Sequence, residues 1–271
     1  EAMTRDYDDD WVSSGFVKMF IDGVLGSHTA LMVDGYPGDA TENGAPLFEV
    51  GRFSQICAEI DRRGLQFAVH SVGDGAVRAV LDGIAAGVAA NGARDSRHRI
   101  EHCDLIHADD VQRFVDLGAV ASIQPSHPPG LLAFPAEPNL SNSIGKDRFP
   151  QAYLWKSLAD RGVALAFSSD WPVAEVSVLA SVQAAMTRQP YEGAADERMP
   201  LIDVLRAYTA GGAFAAHMED RVGRLVPGLC ADFVLLGDDI ETVPADQIGA
   251  MGIALTVAGG RITHQGAGFA G

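Results

Sequence analysis

Two hydrophobic periods take turns along most of the chain. Short apolar runs of strand length are each followed by a stretch whose apolar residues recur three and four apart, the spacing of an amphipathic helix. The runs "GFVKMFID" (15–22), "LQFAVH" (65–70), "HRIEHC" (98–103), "AVASIQP" (119–125) and "VALAFSSD" (163–170) predict five strands. Helices are predicted over 48–64, from Asp74 through "AVRAVLDGIAAGVAA", and over 107–118, 151–162, 177–188 and 201–217. A long Gly-rich loop follows the first strand, and a Pro-rich loop running through Pro138 follows the fourth. Strand–helix alternation of this kind predicts an α/β fold with a parallel sheet and right-handed crossovers.

Beyond about residue 222 the pattern changes. "GRLVPGLCADFVLLGDD" and "MGIALTVAGGRITHQG" read as short strands, with Gly259-Gly260 as a hairpin turn. The expected division is a sheet-forming part, 11–221, and a small β-appendage, 222–271. The first ten residues are polar and are expected to fray.

Polar residues gather where each predicted strand ends. In a (β/α) barrel those ends form the active-site face, and in a doubly wound sheet the ligand crevice. No Gly-x-Gly-x-x-Gly follows a strand, which argues against the nucleotide-binding version. In "FVKMF" the alternation sets Phe16, Lys18 and Phe20 on one face and Val17, Met19 and Ile21 on the other. An ammonium between two apolar faces either snorkels to solvent or is neutralised, for instance by carbamylation with CO2 to a metal-bridging carboxylate.

His70 ends the second strand and His102 the third, with His98 and Ile100 on the face of His102 and Glu101 turned the other way. Asp170 follows the fifth strand. Singly, each histidine reads as a structural hydrogen-bonder and Asp170 as a helix cap. Together at consecutive strand ends, Lys18, His70, His102 and Asp170 point to a metal. Neutral imidazole and carboxylate are the ligand set of zinc or a similar first-row divalent ion. Asp170 would also accept a proton from an activated water. His127, on the loop after the fourth strand, and His28, in the Gly-rich loop, are the candidates for contacting substrate. His107, His217 and His264 read as structural or surface residues.

Composition narrows the function classes. With 271 residues, 47% hydrophobic and 21% charged, the chain is ordinary for a soluble enzyme with a sizeable core. Its net charge of −16, spread along the chain, offers no basic footprint for nucleic acid. No apolar run is long enough to span a bilayer, so no membrane partner is expected. Three scattered cysteines without a Cys-x-x-Cys pair give neither a disulfide framework nor a zinc knuckle. The acidic start is unlike a signal peptide, and a cytoplasmic location is expected.

The segments "VKMFIDGVLGSHTA", "HSVGDGAV", "RHRIEHCDLI", "SIQPSH", "SSDWPV" and "DRVGRLVPGLCADFVLL" resemble, in order, the amidohydrolase superfamily. More narrowly they resemble amidohydrolase family 3, the group with the N-substituted formamide deformylases. The resemblance implies a TIM-like barrel with a small β-sandwich and a centre of one or two divalent ions. It places Lys18 on the fourth barrel strand as a carbamylated bridge, His70 and His102 on the fifth and sixth as ligands, and Asp170 on the eighth as ligand and base. The implied reaction is hydrolysis of an amide or related C–N bond in a small molecule by metal-activated water.

The family's His-x-His pair has no counterpart among the eight histidines. The chain is therefore expected to hold about the C-terminal five strands of the barrel. An open sheet of that kind leaves unpaired edges, so a homo-oligomer or association with the missing N-terminal portion is expected. Two other readings are a deaminase of the same superfamily and a catalytically silent barrel fragment that acts in assembly.

Overall fold

β-Branched and aromatic residues fill the predicted strands, and these pair side by side in chain order. The computed structural model describes residues 9, 11–132 and 142–267. Its larger sheet runs β1 (Phe16–Phe20), β2 (Gln66–Ser71), β3 (Arg99–His102), β4 (Val120–Ile123) and β5 (Ala164–Phe167), every pairing parallel. The fold is α/β, and a separate antiparallel sheet of three strands lies towards the C-terminus.

Register decides which side chains share a face. Phe20 pairs with His70 and His70 with Glu101, so the inner face of the sheet carries Lys18, Phe20, His70 and Glu101. Glu101 thus lies on the face of Lys18 and His70. The opposite face carries Met19, Ile21, Phe67, Val69, Ile100, Ala121, Ile123, Leu165 and Phe167, which form the main core. Helices α1 (Val50–Arg62), α2 (Asp74–Asn91), α3 (Val111–Asp116), α4 (Trp155–Ala159), α5 (Val178–Thr187) and α6 (Leu201–Tyr208) contribute Phe53, Leu81, Phe114, Trp155, Val182 and Val204 to that core. Each such side chain contributes about 1.5–3 kcal/mol by leaving water.

Three helices differ from the predicted pattern. The stretch 201–217 breaks at Thr209 (φ −120°, ψ −88°) into α6 and α7 (Ala210–Ala215). The break seats Gly211 against β5, where a Cβ would lie 2.1 Å from the Leu165 carbonyl oxygen. α7 then closes the amino-terminal end of the inner face. Ala215 packs with Val120 and Ala166, Gln66 donates to the Ala215 carbonyl (2.8 Å), and Arg97 lies 3.8 Å over the Phe214 ring.

The helix predicted over 151–162 shrinks to α4, because Tyr153 adopts a left-handed φ of 55° just before it. Ahead of α3, a 3-10 turn spans Ala108–Asp110. His107 caps this turn, its Nδ1 accepting from Asp109 N–H at 3.3 Å.

The smaller sheet holds β6 (Phe233–Leu236), β7 (Ile253–Ala258) and β8 (Arg261–Gln265). Gly259 and Gly260 join β7 to β8 with φ of 56° and 74°, the positive pair that a type I′ turn requires. β1 and β5 are the outer strands of the larger sheet, and Phe16 and Phe20 on β1 stay about half exposed. Among the described residues no helix is long and apolar enough to cross a membrane. Part of the Pro-rich loop (133–138) and nearly all of the N-terminal decapeptide lie outside the described residues.

Candidate metal centre

The carboxyl ends of β1 and β2 are tied together by Asp22. Its carboxylate accepts from the backbone N–H groups of Leu31 (2.9 Å), Val72 (3.1 Å) and Gly73 (2.9 Å). Burial pushes this carboxyl up to about 6 despite those three bonds. The bonds pull the Gly-rich loop across the sheet ends so closely that a Cβ on Gly73 would sit 2.1 Å from the Leu31 carbonyl oxygen.

On this frame His70 stacks on Phe20 (4.8 Å), and its Nε2–H donates to the Gly23 carbonyl (2.9 Å). That bond fixes the tautomer and leaves the Nδ1 lone pair for a ligand. His102 arrives differently. Strand alternation would send it to the helix side with Ile100, and its register partner Ser71 is fully buried. Instead the chain turns left-handed at His102 (φ 78°) and Cys103 (φ 55°). The His102 ring comes edge-on to His70, with centroids 4.4 Å apart. Its Nδ1 bonds Gln124 Oε1 (2.8 Å), and Gln124 Nε2 donates in turn to Ser168 Oγ (2.9 Å). Nε2 of His102 is therefore the atom left for a metal.

His127, past the end of β4, stacks near-parallel to His102 with centroids 5.7 Å apart. Its Nε2 lies 3.9 Å from Oδ2 of Asp170, which follows β5 with a left-handed φ of 58°. One ligand atom each from His102, His127 and Asp170 fall within 4.8 Å of one another. Lys18 joins from β1, its Nζ 5.1 Å from the Phe20 ring centroid.

All five side chains line one cavity of 460 Å³, whose apolar walls include Phe20, Leu25, Val72, Pro129 and Val173. Burial is the leading cause that lowers the pKa of His70, His127 and Lys18, and it holds His102 well below the usual imidazole range. Neutral imidazoles are the form that binds a cation, so this donor set fits a divalent ion.

Thus the structure brings together Lys18, His70, His102, Asp170 and His127. The cavity lining does not include His28, whose ring stacks on Tyr36 (4.2 Å) and pairs with Glu42 (3.3 Å). His98 also lies apart, packed on Phe67 (3.6 Å) and paired with Asp61 (3.3 Å). Sequence reasoning passed over Gln124, Asp104 and Tyr153. Asp104 and Tyr153 both line the cavity, and Asp104 is pushed up to about 7 by burial and then by the charge of Asp22. A carboxylate two positions past a strand-end histidine was the available signal for Asp104. Tyr153 had none, since its place depends on a backbone turn.

A model of the amidohydrolase family, that of family 3, matches residues 1–264. The chain belongs to the amidohydrolase family. It is 35% identical over 255 residues to Protein LONG AFTER FAR-RED 3 of Arabidopsis thaliana, covering 92% of this chain and 43% of that one. To the N-substituted formamide deformylase of Arthrobacter pascens it is 24% identical over 255 residues, covering 93% and 46%. Among solved structures, an uncharacterized metal-dependent hydrolase from Pyrococcus horikoshii OT3 superposes with a TM-score of 0.76 at 27% identity, over 88% of this chain and 47% of that one. The chain spans less than half the length of these relatives. The amidohydrolase fold is a TIM-like barrel, and the described parallel sheet supplies five of its strands.

Proposed function

We propose that the protein serves a metal-dependent hydrolase that cleaves C–N bonds of amide or formamide type. The convergence of His102, His127 and Asp170 ligand atoms within 4.8 Å, in one cavity with His70 and Lys18, carries this reading. Membership of the amidohydrolase family supports hydrolysis, and likeness to a formamide deformylase supports the bond type.

His70, His102, His127 and Asp170 would hold one or two divalent ions, zinc foremost. When bound, such an ion supplies Lewis acidity for the water and the substrate carbonyl. Asp170 takes the proton of the attacking water at Oδ2 and returns it to the leaving nitrogen. His127 Nε2 lies 3.9 Å from that oxygen. The products are a carboxylate and an amine. Burial lowers the Lys18 pKa, which favours the neutral amine that adds CO2 to form a carbamate and releases one proton. Further barrel strands, from a longer polypeptide or an associated chain, join along the open edges of β1 and β5.

Reconstitution with zinc in bicarbonate at pH 8, followed by elemental analysis, tests the centre. One or two ions per chain are expected, with loss of binding in His102→Asn. Labelled bicarbonate should give a carbamate carbon resonance that Lys18→Arg abolishes. A screen of N-formyl amines, acyl amino acids and aminated heterocycles then separates amidase from deaminase. A chain that retains no divalent ion after reconstitution overturns the proposal.

A further inference from the structure

Asp104 faces the cavity but takes no part in the ligand cluster around His102, His127 and Asp170. Its position is fixed by backbone bonds on both sides. Its carbonyl accepts from Tyr153 N–H (2.8 Å), and the next residue, Leu105, donates to the Val72 carbonyl (3.0 Å). The Tyr153 side chain lines the same cavity. Behind Tyr153 lies the buried guanidinium of Arg188, 5.3 Å from the Tyr153 ring centroid and bonded to the Tyr153 carbonyl (2.9 Å). Asp104 is thus held rigidly, with a fixed positive charge beyond Tyr153.

A carboxylate offers about four acceptor positions on two oxygens. Asp104 lines the cavity, where a ligand can reach them. The neighbouring walls, Leu25, Val72 and Pro129, offer no side-chain donor. A ligand without a donor would therefore leave a desolvated carboxylate unpartnered, the most effective way for a site to reject an analogue. A ligand with an ammonium would satisfy it by a charge-assisted bond.

We propose that Asp104 is a specificity residue: its carboxylate accepts from a cationic amine carried by the substrate at the end remote from the bond that is cleaved. The preferred substrates are then amides or formamides of diamines or other amino-bearing amines. This rests on the cavity being the substrate site of the hydrolase proposed above.

The test uses two matched series, mono-N-formyl α,ω-diamines and N-alkylformamides of equal length. Binding to the zinc-reconstituted chain is followed by ligand-observed NMR, and turnover is measured separately. The native chain should bind the cationic member at least tenfold more tightly than its neutral partner at one chain length. Asp104→Asn keeps the shape and removes the charge, so it should abolish that preference while zinc content stays within twofold and the neutral member binds no more weakly. Tyr153→Phe should keep the preference. Equal affinity for the two series in the native chain, or a preference that survives in Asp104→Asn, overturns the assignment. Absence of turnover with the binding preference intact counts against the hydrolase reading and leaves the amine site standing.

Discussion

His102 and His70 meet edge-on at 4.4 Å between ring centroids, although the register sets His102 opposite Ser71 and His70 opposite Glu101. The left-handed turn at His102 and Cys103 makes the meeting possible. β-Branched residues resist that conformation, at a cost of about 1–2 kcal/mol. Cys103→Val, similar in volume, should therefore lower stability by about that amount and weaken zinc binding at least tenfold. Cys103→Gly should lose packing yet keep the zinc affinity. Urea unfolding and chelator competition read the two effects separately.

Gln124 stands between His102 and Ser168 and holds the His102 ring by Nδ1. Partners of this kind typically contribute about 10–100-fold to metal affinity. Gln124→Leu should lose that factor in zinc competition while its far-ultraviolet circular dichroism stays that of the parent. Unchanged affinity would mean that packing alone orients His102.

Asp22 gathers three backbone donors from two separate segments. Asp22→Ala would leave the N–H groups of Leu31, Val72 and Gly73 without their acceptor, at about 1–3 kcal/mol for each that stays buried. A loss of at least about 3 kcal/mol is expected in urea unfolding. Proteolysis within 23–31 should accelerate, since this carboxylate anchors the loop.

The pH dependence of stability has an identifiable source away from the centre. Burial, then the charge of Arg94, lowers His98 to about 4 from 6.5. Its Nδ1 accepts from Phe67 N–H (3.2 Å), a bond that protonation would break. Between pH 6.5 and 4 the unfolded chain takes up a proton that the folded chain refuses. Stability is thus fully present above 6.5 and declines as pH falls through this window, by roughly 3 kcal/mol in all. Burial acts to raise the partner carboxyl Asp61, but bonds from Asn91 and Arg94 hold it below the usual range. The difference in unfolding free energy between the native chain and His98→Gln should shrink by about this amount from pH 7 to 4. A constant difference would remove His98 as the source.

The five strands were legible because each is a compact apolar run bounded by polar or turn residues, and Gly259-Gly260 because few other pairs tolerate two positive φ angles. The phase of the side chains at the strand ends was less legible. Alternation is a property of regular strands, and β3 abandons it at His102, so Glu101 and His102 come to the same side. His98 and His28 carry the same imidazole as the residues in the centre, but pairing with Asp61 and Glu42 depends on segments brought together only by folding. The break of the last predicted helix at Thr209 was hidden for a like reason, since Gly211 is required by the approach of β5.

The five cavity residues Lys18, His70, His102, His127 and Asp170 come from segments well apart in the chain, the nearest two being 25 positions apart. No short stretch of the polypeptide therefore holds two of these five, and the site as a whole would form only after the strands have assembled. At about a thousand times its dissociation constant, a divalent ion held there would add roughly 4 kcal/mol to the folded state alone. Metal supply would then govern the lifetime of the protein as well as its chemistry, and starvation for the ion would show first as faster turnover of the polypeptide.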